Sequence, residues 1–409
     1  MPEFGLTEEQ ELFRTEMRRI ARKAIAPLAK EMSETSYFDQ LKKADELLNL
    51  SALNFPERCG GWELDWLSVG ILQEELYMAG TDIGYDPFTM SFCGMDMHKL
   101  PEETQDEIAP QLINRTATLM HGYTEGNSGN EQAAIQTKAV RQGDYYIING
   151  EKQPATGCGG ATYSVITAVT DPAAGTKGIS QFIVPRDTPG VSGSLVPFAN
   201  ESLRMGGTQS GPGTPETDPM AMHGCVMSYD DVKVPVRYRL GEEGEGQDHL
   251  EYVHKFAALN AVAIKHVCDA RLTLQEMIEF TGQRVHFGQP INQFQGVSFK
   301  LAEHYVALEA ARMLIYRTLW RQDQGLATMS DFAMAKMYGC EVAERALLDF
   351  LKIGGYPACS TESPVIQRVI DSIVIGGCAD GQTQMQKLRI LSDIAPDAIP
   401  PNMVDRLVV

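Results

Sequence analysis

The sequence predicts an α+β protein in which a β region lies between two helical regions. Apolar residues recur at helical spacing before about residue 120 and after about residue 238. The segment between them consists of short runs rich in Val, Ile, Thr and Tyr, separated by turn dipeptides. We therefore expect an N-terminal helical domain at 1–120, a middle antiparallel β-barrel or sheet domain at 121–237 and a C-terminal four-helix bundle at 238–409.

The N-terminal region begins with a predicted helix. Thr7 and Gln10 have the spacing of a capping box, and apolar residues follow at intervals of three or four through 12–28. Two later segments, 65–80 and 101–113, have the same periodicity, and Gly and Pro accumulate between them. This region is therefore expected to contain at least three helices.

The middle region has the pattern of antiparallel strands. Its apolar runs are short, and turn dipeptides such as Gly143-Asp144 lie between them. The strands are predicted at 137–152, 162–171, 178–187 and 223–235. A polar stretch rich in Gly and Pro, at 206–219, has too few apolar residues to pack, so we expect it on the surface.

The apolar period returns to 3.6 residues in the last part of the chain, which predicts long helices. They are expected at 251–280, 297–325, 330–353 and 364–375.

Composition excludes several classes of function. Asp and Glu outnumber Lys and Arg by 54 to 35, which gives a formal net charge of -19. Binding of nucleic-acid phosphates needs a positive surface, so we expect no nucleic-acid partner. There is no apolar run of membrane-spanning length and no signal-peptide pattern, so we expect a cytoplasmic protein without a membrane partner.

Cysteine and histidine patterns give no sign of a metal. The eight cysteines contain no CxxC pair, so we expect reduced thiols rather than a disulfide framework. The eight histidines form neither an HxxxH nor an HExxH motif. His249, His254 and His266 are expected on helices in solvated or hydrogen-bonded positions. The sequence predicts no metal site.

Three segments carry a family resemblance. In chain order they read YTEGNSGNEQAA at 123–134, DDVKVPVRYRLGEEGEGQ at 230–247 and RVHFGQPINQFQGVSFKLA at 284–302. Together they resemble the acyl-CoA dehydrogenase family, and the third is nearly identical to its Arg-x-x-Phe-Gly-x-Pro-Ile-x-x-Phe-Gln signature. The resemblance implies an α–β–α fold, FAD, a CoA thioester substrate, a homotetramer and an electron-transfer flavoprotein as oxidant.

The first motif implies contacts with the flavin ring. Carried onto this sequence, the resemblance places Tyr123, Thr124 and Thr156 against FAD, with hydroxyl and backbone N–H groups as donors. Pro154 stands where the family usually has an aromatic residue that shields the flavin. Asn130 replaces a family serine that hydrogen-bonds the cofactor or substrate, and its amide still offers a donor and an acceptor.

The third motif implies contacts with the FAD of a neighbouring subunit. Arg284, Phe287, Gly288 and Gln295 match family positions at this site. A guanidinium suits a pyrophosphate, and glycine lets the backbone approach a ligand. A short sequence of this kind is more often a plain turn between two helices. Because it lies within the third family motif, we favour cofactor binding.

The segment KIGGYP at 352–357 resembles a second family segment that meets the same FAD. Gly354 and Gly355 match its two glycines, whereas Leu351 replaces its glutamine.

The loop DGQTQMQ at 380–386 resembles the family segment that carries the catalytic base. The resemblance implies that Asp380 removes the α-proton while hydride leaves Cβ for flavin N5, that Gly381 meets the substrate, and that Gln384 touches FAD. The alignment needs one inserted residue, without which Ala379 would take the position of the family glutamate. The alternative is that Asp380 is an N-cap of the helix that follows.

Asp96 is a second candidate acid–base group. It lies in the mostly apolar stretch FTMSFCGMDMHKL, where family members build the acyl pocket, and we expect it either to contact substrate or, more commonly for such a residue, to face water from a loop.

The resemblance implies α,β-desaturation of a CoA thioester, with a branched, cyclic or aromatic acyl group favoured over a straight chain. Two alternatives stay open. Aspartate at the base position also resembles nitroalkane oxidase, which gives its electrons to oxygen. Loss of flavin contacts at Leu351 and Pro154 would instead fit a non-catalytic subunit of a hetero-oligomer.

Overall fold

The structure, a computed structural model, describes residues 5–31, 37–156, 160–196, 224–360 and 363–399. The predicted polar surface stretch lies outside these residues.

The described residues form two compact units. The first unit falls within Met1–Pro27, Asp65–Phe88 and Lys255–Ile399, and the second within Leu28–Leu64 and Thr89–His254. Helices dominate the first unit, and the second contains a sheet together with helices. The three domain boundaries expected from the sequence stay a prediction.

The order of elements along the chain is helical, then β, then helical, as predicted. The α-helices of the described residues are α1 (Glu8–Ile20), α2 (Ala26–Glu31), α3 (Tyr37–Leu48), α4 (Trp66–Tyr77), α5 (Asp86–Met97), α6 (Glu102–Ile113), α7 (Gly246–Ala257), α8 (Ile264–Gln283), α9 (Gln295–Asp323), α10 (Met329–Gly354), α11 (Val365–Asp371) and α12 (Thr383–Ile394). Among them, α3 and α5 lie outside the predicted helical segments. No helix in the described part of the chain is long and apolar enough to cross a membrane.

Side-chain caps fix the beginnings of three of these helices. The predicted capping box of α1 is confirmed, because Thr7 Oγ1 accepts from Gln10 N at 3.2 Å and Gln10 Oε1 accepts from Thr7 N at 3.1 Å. Asp65 caps α4, and Thr328 with Asp331 forms a second capping box at α10. Each cap satisfies backbone N–H groups that the first helical turn leaves without an intrahelical partner.

The main sheet belongs to the second unit. Its strands are β1 (Leu119–Gly122), β2 (Lys138–Gln142), β3 (Tyr145–Thr156), β4 (Tyr163–Val169), β5 (Ile179–Pro185), β6 (Val191–Val196), β7 (Gly224–Pro235) and β8 (Arg239–Leu240). The order across the sheet is β6-β7-β3-β2-β4-β5-β8, and β1 pairs with β4 off this path. A short hairpin of β9 (Val285–His286) and β10 (Gln289–Pro290) belongs to the first unit.

The sheet is antiparallel as predicted except at two pairings. β1 runs parallel to β4, with His121 opposite Val165, and Lys138 at the start of β2 forms one parallel pairing with β4. The predicted strand segments match β2 to β5 and β7, while β1, β6 and β8 were missed. β1 is only 4 residues long and β8 only 2, which is too short for an alternating pattern to be recognised.

The expectation of reduced thiols is wrong at one position. Cys225, on β7, is disulfide-bonded, whereas Cys59, Cys93, Cys268 and Cys340 are free, as are the exposed Cys359 and Cys378. The β3–β7 register places Cys225 opposite Ala155, so chain segments far apart in sequence meet there. The spacing of the cysteines along the sequence does not indicate this disulfide.

Candidate functional site

A cleft in the first unit brings together several of the predicted cofactor residues. Arg284, Phe287, Gly354 and Gly355 line it together with Tyr356, and its volume is about 410 Å3. The β9–β10 hairpin forms one wall, and the end of α10 with the turn after it forms the other. The cleft thus combines an exposed guanidinium, aromatic side chains and glycine backbone, which suit a phosphate-containing aromatic ligand.

Backbone conformation explains the glycines of this cleft. Phe287 and Gly288 form the hairpin turn with φ of 52° and 81°, a left-handed pair typical of tight hairpins. Gly355 has φ of 62°, and nothing lies within 4 Å of where its Cβ would be. Its N–H donates to Leu351 O at 3.0 Å and ends α10. The open backbone there leaves room for a ligand.

Gln295 and Gln384 lie outside the lining of this cleft. Gln295 is the first residue of α9 and is exposed, and Gln384 is an exposed residue in the first turn of α12. Their contacts with FAD stay predictions.

The segment around Thr124 lies against the strand that contains Thr156. Thr124 Oγ1 donates to Pro154 O at 3.4 Å, and Thr124 O accepts from Gln153 N at 2.9 Å. Tyr123 is buried, while Asn130 is exposed. The side chain of Thr156 lies outside the described part of the structure, although its backbone ends β3. Thr124 and the end of β3 are therefore neighbours.

A buried ion pair fixes the loop after Thr124. Glu125 accepts from Lys152 Nζ at 2.7 Å and from the backbone N–H groups of Gln136 and Thr137 at 2.7 and 3.1 Å. Burial lowers the pKa of Lys152 to about 8, although Glu125 acts in the opposite direction. Sequence reasoning did not single out this pair, which holds the loop in place.

Asp380 lies in a bend between the helical turn that follows α11 and the start of α12. It is half-buried and has φ of 48°, and Gly381 follows with φ of 81°. Gly381 O accepts from the buried Lys336 Nζ at 2.5 Å and from Gln386 Nε2 at 3.0 Å. Two donors from α10 and α12 therefore hold the bend by its backbone.

The alternative role of Asp380 as a helix cap is wrong. The N-cap of α12 is Gln382, and it makes no side-chain capping bond. The Asp380 carboxylate instead lies close enough to Tyr85 to affect it. Burial raises the pKa of Tyr85 far above its usual range, and the negative charge of Asp380 adds to that increase.

The expectation that Asp96 faces water from a loop is also wrong. Asp96 lies on α5 and is 0% exposed. Its Oδ2 accepts from His121 Nε2 at 2.6 Å and its Oδ1 from His249 Nε2 at 2.8 Å. Burial tends to raise the pKa of Asp96, but the two imidazoles outweigh it and hold the pKa below its ordinary value.

Sequence reasoning missed the partners of Asp96. His249 is buried and bonded to a carboxylate, whereas His266 is buried and bonded to the carbonyl oxygens of Val262 and Asp371, which fits the expectation of hydrogen-bonded helix histidines. A carboxylate in an otherwise apolar helical stretch is the signal that could have indicated a buried partner. No group of three or more His, Cys, Asp or Glu side chains suited to a metal occurs among the described residues.

Comparison with known families identifies the family of this chain. Profiles of the N-terminal, middle and C-terminal domains of acyl-CoA dehydrogenase match residues 7–115, 121–207 and 260–395. A probable acyl-CoA dehydrogenase of Bacillus subtilis, YngJ, is 30% identical over 400 residues, which cover 95% of this chain and 98% of that protein. The chain belongs to the acyl-CoA dehydrogenase family.

Solved structures agree with this assignment. The butyryl-CoA dehydrogenase of Megasphaera elsdenii matches with a TM-score of 0.80 and 28% identity over 96% of this chain and 99% of that chain. A chain from a structural study of the electron transferring flavoprotein of Acidaminococcus fermentans matches with a TM-score of 0.81 and 26% identity, covering 96% and 99% of the two chains.

Membership of the acyl-CoA dehydrogenase family makes the protein an FAD-dependent oxidoreductase that acts on CH–CH groups. The residues present fit this cofactor. Within the cleft, the exposed Arg284 guanidinium and the open backbone at Gly355 suit a pyrophosphate, and the rings of Phe287 and Tyr356 provide apolar surface.

Proposed function

We propose that the protein desaturates the α,β-bond of an acyl-CoA thioester, with Asp380 as the base that removes the α-proton. The thioester carbonyl acidifies the α-C–H bond, and a partly desolvated carboxylate is a stronger base than one in water. Bound FAD supplies the two-electron acceptor that this chemistry requires. Asp380 takes up the proton on a carboxylate oxygen.

The observation that carries this proposal is the conformation of the Asp380–Gly381 bend. A side chain with φ of 48° is uncommon, and strained backbone tends to occur where function requires a particular side-chain direction. Here the direction is fixed by Lys336 and Gln386, which both bond the next carbonyl. The N-cap of α12 is Gln382, so the carboxylate of Asp380 is not the cap of that helix.

Cofactor binding is proposed to involve more than one copy of the chain. The cleft around Arg284 exposes two large rings, Phe287 at 96% and Tyr356 at 90%. Exposed rings around a basic group suit a partly apolar ligand and a protein neighbour. We infer a homotetramer in which this cleft meets the FAD of a neighbouring subunit, and an electron-transfer flavoprotein as oxidant. A monomeric mass in sedimentation, with FAD bound, would contradict the oligomer.

The remaining predicted contacts complete the site. We infer that Tyr123, Thr124 and Thr156 contact the flavin, that Gln295 and Gln384 complete its surroundings, and that Asn130, Asp96 and Gly381 meet the thioester.

The experiment that tests the proposal is an anaerobic screen of CoA thioesters for bleaching of the flavin absorbance. The screen compares the wild type with Asp380→Asn, and with Asp393→Asn as a control on an exposed carboxylate of α12. We expect bleaching by the wild type and the control, and FAD retention without bleaching in Asp380→Asn. Equal bleaching in all three would refute Asp380 as the base.

The same preparations test the two alternatives. Peroxide formed from a nitroalkane in air would support the oxidase. A colourless protein that takes up no added FAD would support the non-catalytic subunit.

For the acyl group, we expect a branched, cyclic or aromatic thioester to bleach the flavin faster than butyryl- or octanoyl-CoA, and the reverse order would contradict this preference.

A further inference from the structure

A buried cluster of His121, Asp96 and His249 lies in the second unit. It joins three separate elements, because Asp96 is on α5, His121 on β1 and His249 on α7. The Asp96 side chain is 0% exposed and that of His249 is 3% exposed, whereas that of His121 retains 16%. His121 is therefore the member of the cluster that a ligand or water can reach.

The hydrogen bonds fix which atom of each ring faces the carboxylate. A carboxylate accepts, so both imidazoles donate from Nε2 to Asp96, at 2.6 and 2.8 Å. The Nδ1 atoms consequently face away from it. Within the described residues, His121 Nδ1 makes no hydrogen bond, and His249 Nδ1 is buried without a partner.

The ring of His121 is the accessible part of the cluster, because Asp96 and His249 are more deeply buried. The ring also lies beside that of Tyr123, which in turn contacts the ring of His254. With Nε2 engaged by Asp96, Nδ1 is the atom of His121 that can bond a ligand. A hydroxyl group both donates and accepts hydrogen bonds, so it suits this nitrogen.

The position of His121 links the cluster to the proposed flavin segment. His121 lies three residues before Thr124 on the same strand and its extension. Its ring contacts Phe92 at 4.2 Å and Tyr123 at 5.5 Å between centroids. A single polar atom among apolar rings is a typical element of specificity in a small-molecule site.

We propose that His121 binds an oxygen atom on the acyl chain, held for this purpose by Asp96 and, through Asp96, by His249. The substrate class is therefore acyl thioesters with a hydroxyl group on the acyl chain, rather than plain hydrocarbon chains. This inference rests on the proposed function, because it names the substrate of the same reaction.

The test compares pairs of thioesters of equal carbon number, from butyryl- to hexanoyl-CoA and their ω-hydroxy counterparts. We expect the best hydroxyacyl-CoA to exceed its partner in kcat/KM by about fivefold, as one additional hydrogen bond allows. His121→Gln should reduce this ratio towards one. His98→Gln, at an exposed histidine in the same unit, should leave it unchanged. An unchanged ratio in His121→Gln, or an equal loss in both variants, would overturn the proposal.

Two measurements separate this proposal from the proposed function. Selective 15N labelling of histidine should show a shift of the Nδ1 resonance of His121, assigned through His121→Gln, when 5-hydroxypentanoyl-CoA is added and none when pentanoyl-CoA is added. An equal response to both thioesters would overturn the hydrogen bond whether or not any thioester is oxidised. Calorimetric binding of 5-hydroxypentanoyl- against pentanoyl-CoA supports the inference if the hydroxyl compound binds more tightly, and overturns it if the two bind equally or neither binds. A lack of flavin bleaching with every thioester would refute only the proposed reaction.

Discussion

Asp96 and Asp380 are both removed from bulk water, yet their surroundings differ in kind. Asp96 lies on a helix, is 0% exposed, and has both oxygens bonded to imidazoles. Asp380 lies in a left-handed bend and is half-buried, and the backbone carbonyl of the next residue accepts from Lys336.

The difference shows how the surroundings give two aspartate side chains of one protein different roles. A carboxylate whose oxygens are both bonded to cation-forming partners is a poor base, because its charged form is already stabilised, as the lowered pKa of Asp96 shows. Asp380 is half-buried and lies in a bend whose backbone is anchored by Lys336 and Gln386. The bend orients Asp380, whereas the imidazoles hold Asp96 in place.

The largest effect on stability is expected from Asp96→Asn. The amide offers one acceptor to two buried Nε2–H donors, so unfolding free energy should fall by about 3 kcal/mol. Asp380 is only half-buried, so Asp380→Asn should change it by less than about 1 kcal/mol. Urea unfolding of both variants measures these changes. Equal losses of unfolding free energy would contradict the proposed difference between the two carboxylates.

Lys336→Met should affect rate more than stability. Methionine keeps the packing of the lysine stem but removes the donor to Gly381 O. Burial lowers the pKa of Lys336, because burial disfavours the charged ammonium. Removing the ammonium removes this cost, so the stability change should be small. The freed bend should slow anaerobic flavin reduction about tenfold.

Lys300→Met is the matched control, because Lys300 is half-buried and bonds Asp349 at 2.7 Å. If flavin reduction were as slow in Lys300→Met as in Lys336→Met, the slower rate could not be assigned to loss of the bond between Lys336 and the bend.

Gly381→Ala tests the bend with a smaller change. Its φ of 81° disfavours a side chain, and the added Cβ would lie 2.5 Å from Gln386 Nε2, which donates to Gly381 O. We expect a loss of about 1–2 kcal/mol in unfolding free energy and a slower flavin reduction. Gly143→Ala, in the β2–β3 turn, also has positive φ but meets no atom within 4 Å. It should lose stability without a change in rate.

The smallest effect concerns Asp323, a half-buried carboxylate that accepts hydrogen bonds from backbone N–H groups. It accepts from Trp66 and Leu67 N at 2.8 and 3.0 Å, yet burial raises its pKa from 3.8 to about 6. The folded chain therefore binds this proton more tightly than the unfolded chain, and stability falls as pH rises through about 6. Between pH 5 and 7 the wild type should lose about 1 kcal/mol relative to Asp323→Asn. If the difference in unfolding free energy between the wild type and Asp323→Asn stayed constant from pH 5 to 7, the raised pKa of Asp323 would be contradicted. The contrast with Asp96, whose pKa is lowered, would then not hold.

Local patterns in the sequence were sufficient for most of the fold. The capping box at Thr7 and the helical periods correspond to elements of the structure, because both depend on residues a few positions apart. The parallel pairing of β1 with β4 and the disulfide at Cys225 were not predicted, since each depends on a partner that local pattern does not identify.

The same distinction applies to the candidate site. The Asp-Gly pair at 380–381 favours a left-handed bend by itself, so its location was predictable. Its anchor, Lys336, is 45 residues away, and the partners of Asp96 are 25 and 153 residues away. The roles of these side chains depend on contacts that only the folded chain creates.

The most direct test of Asp380 as the base is exchange of the α-proton in deuterium oxide. A 3-thia-acyl-CoA, in which sulfur replaces the β-carbon, can lose an α-proton but has no β-hydride to give. We predict that the FAD-loaded wild type exchanges this proton and that Asp380→Asn, with FAD still bound, exchanges it at least about a thousandfold more slowly. Exchange at the wild-type rate in that variant would contradict the account.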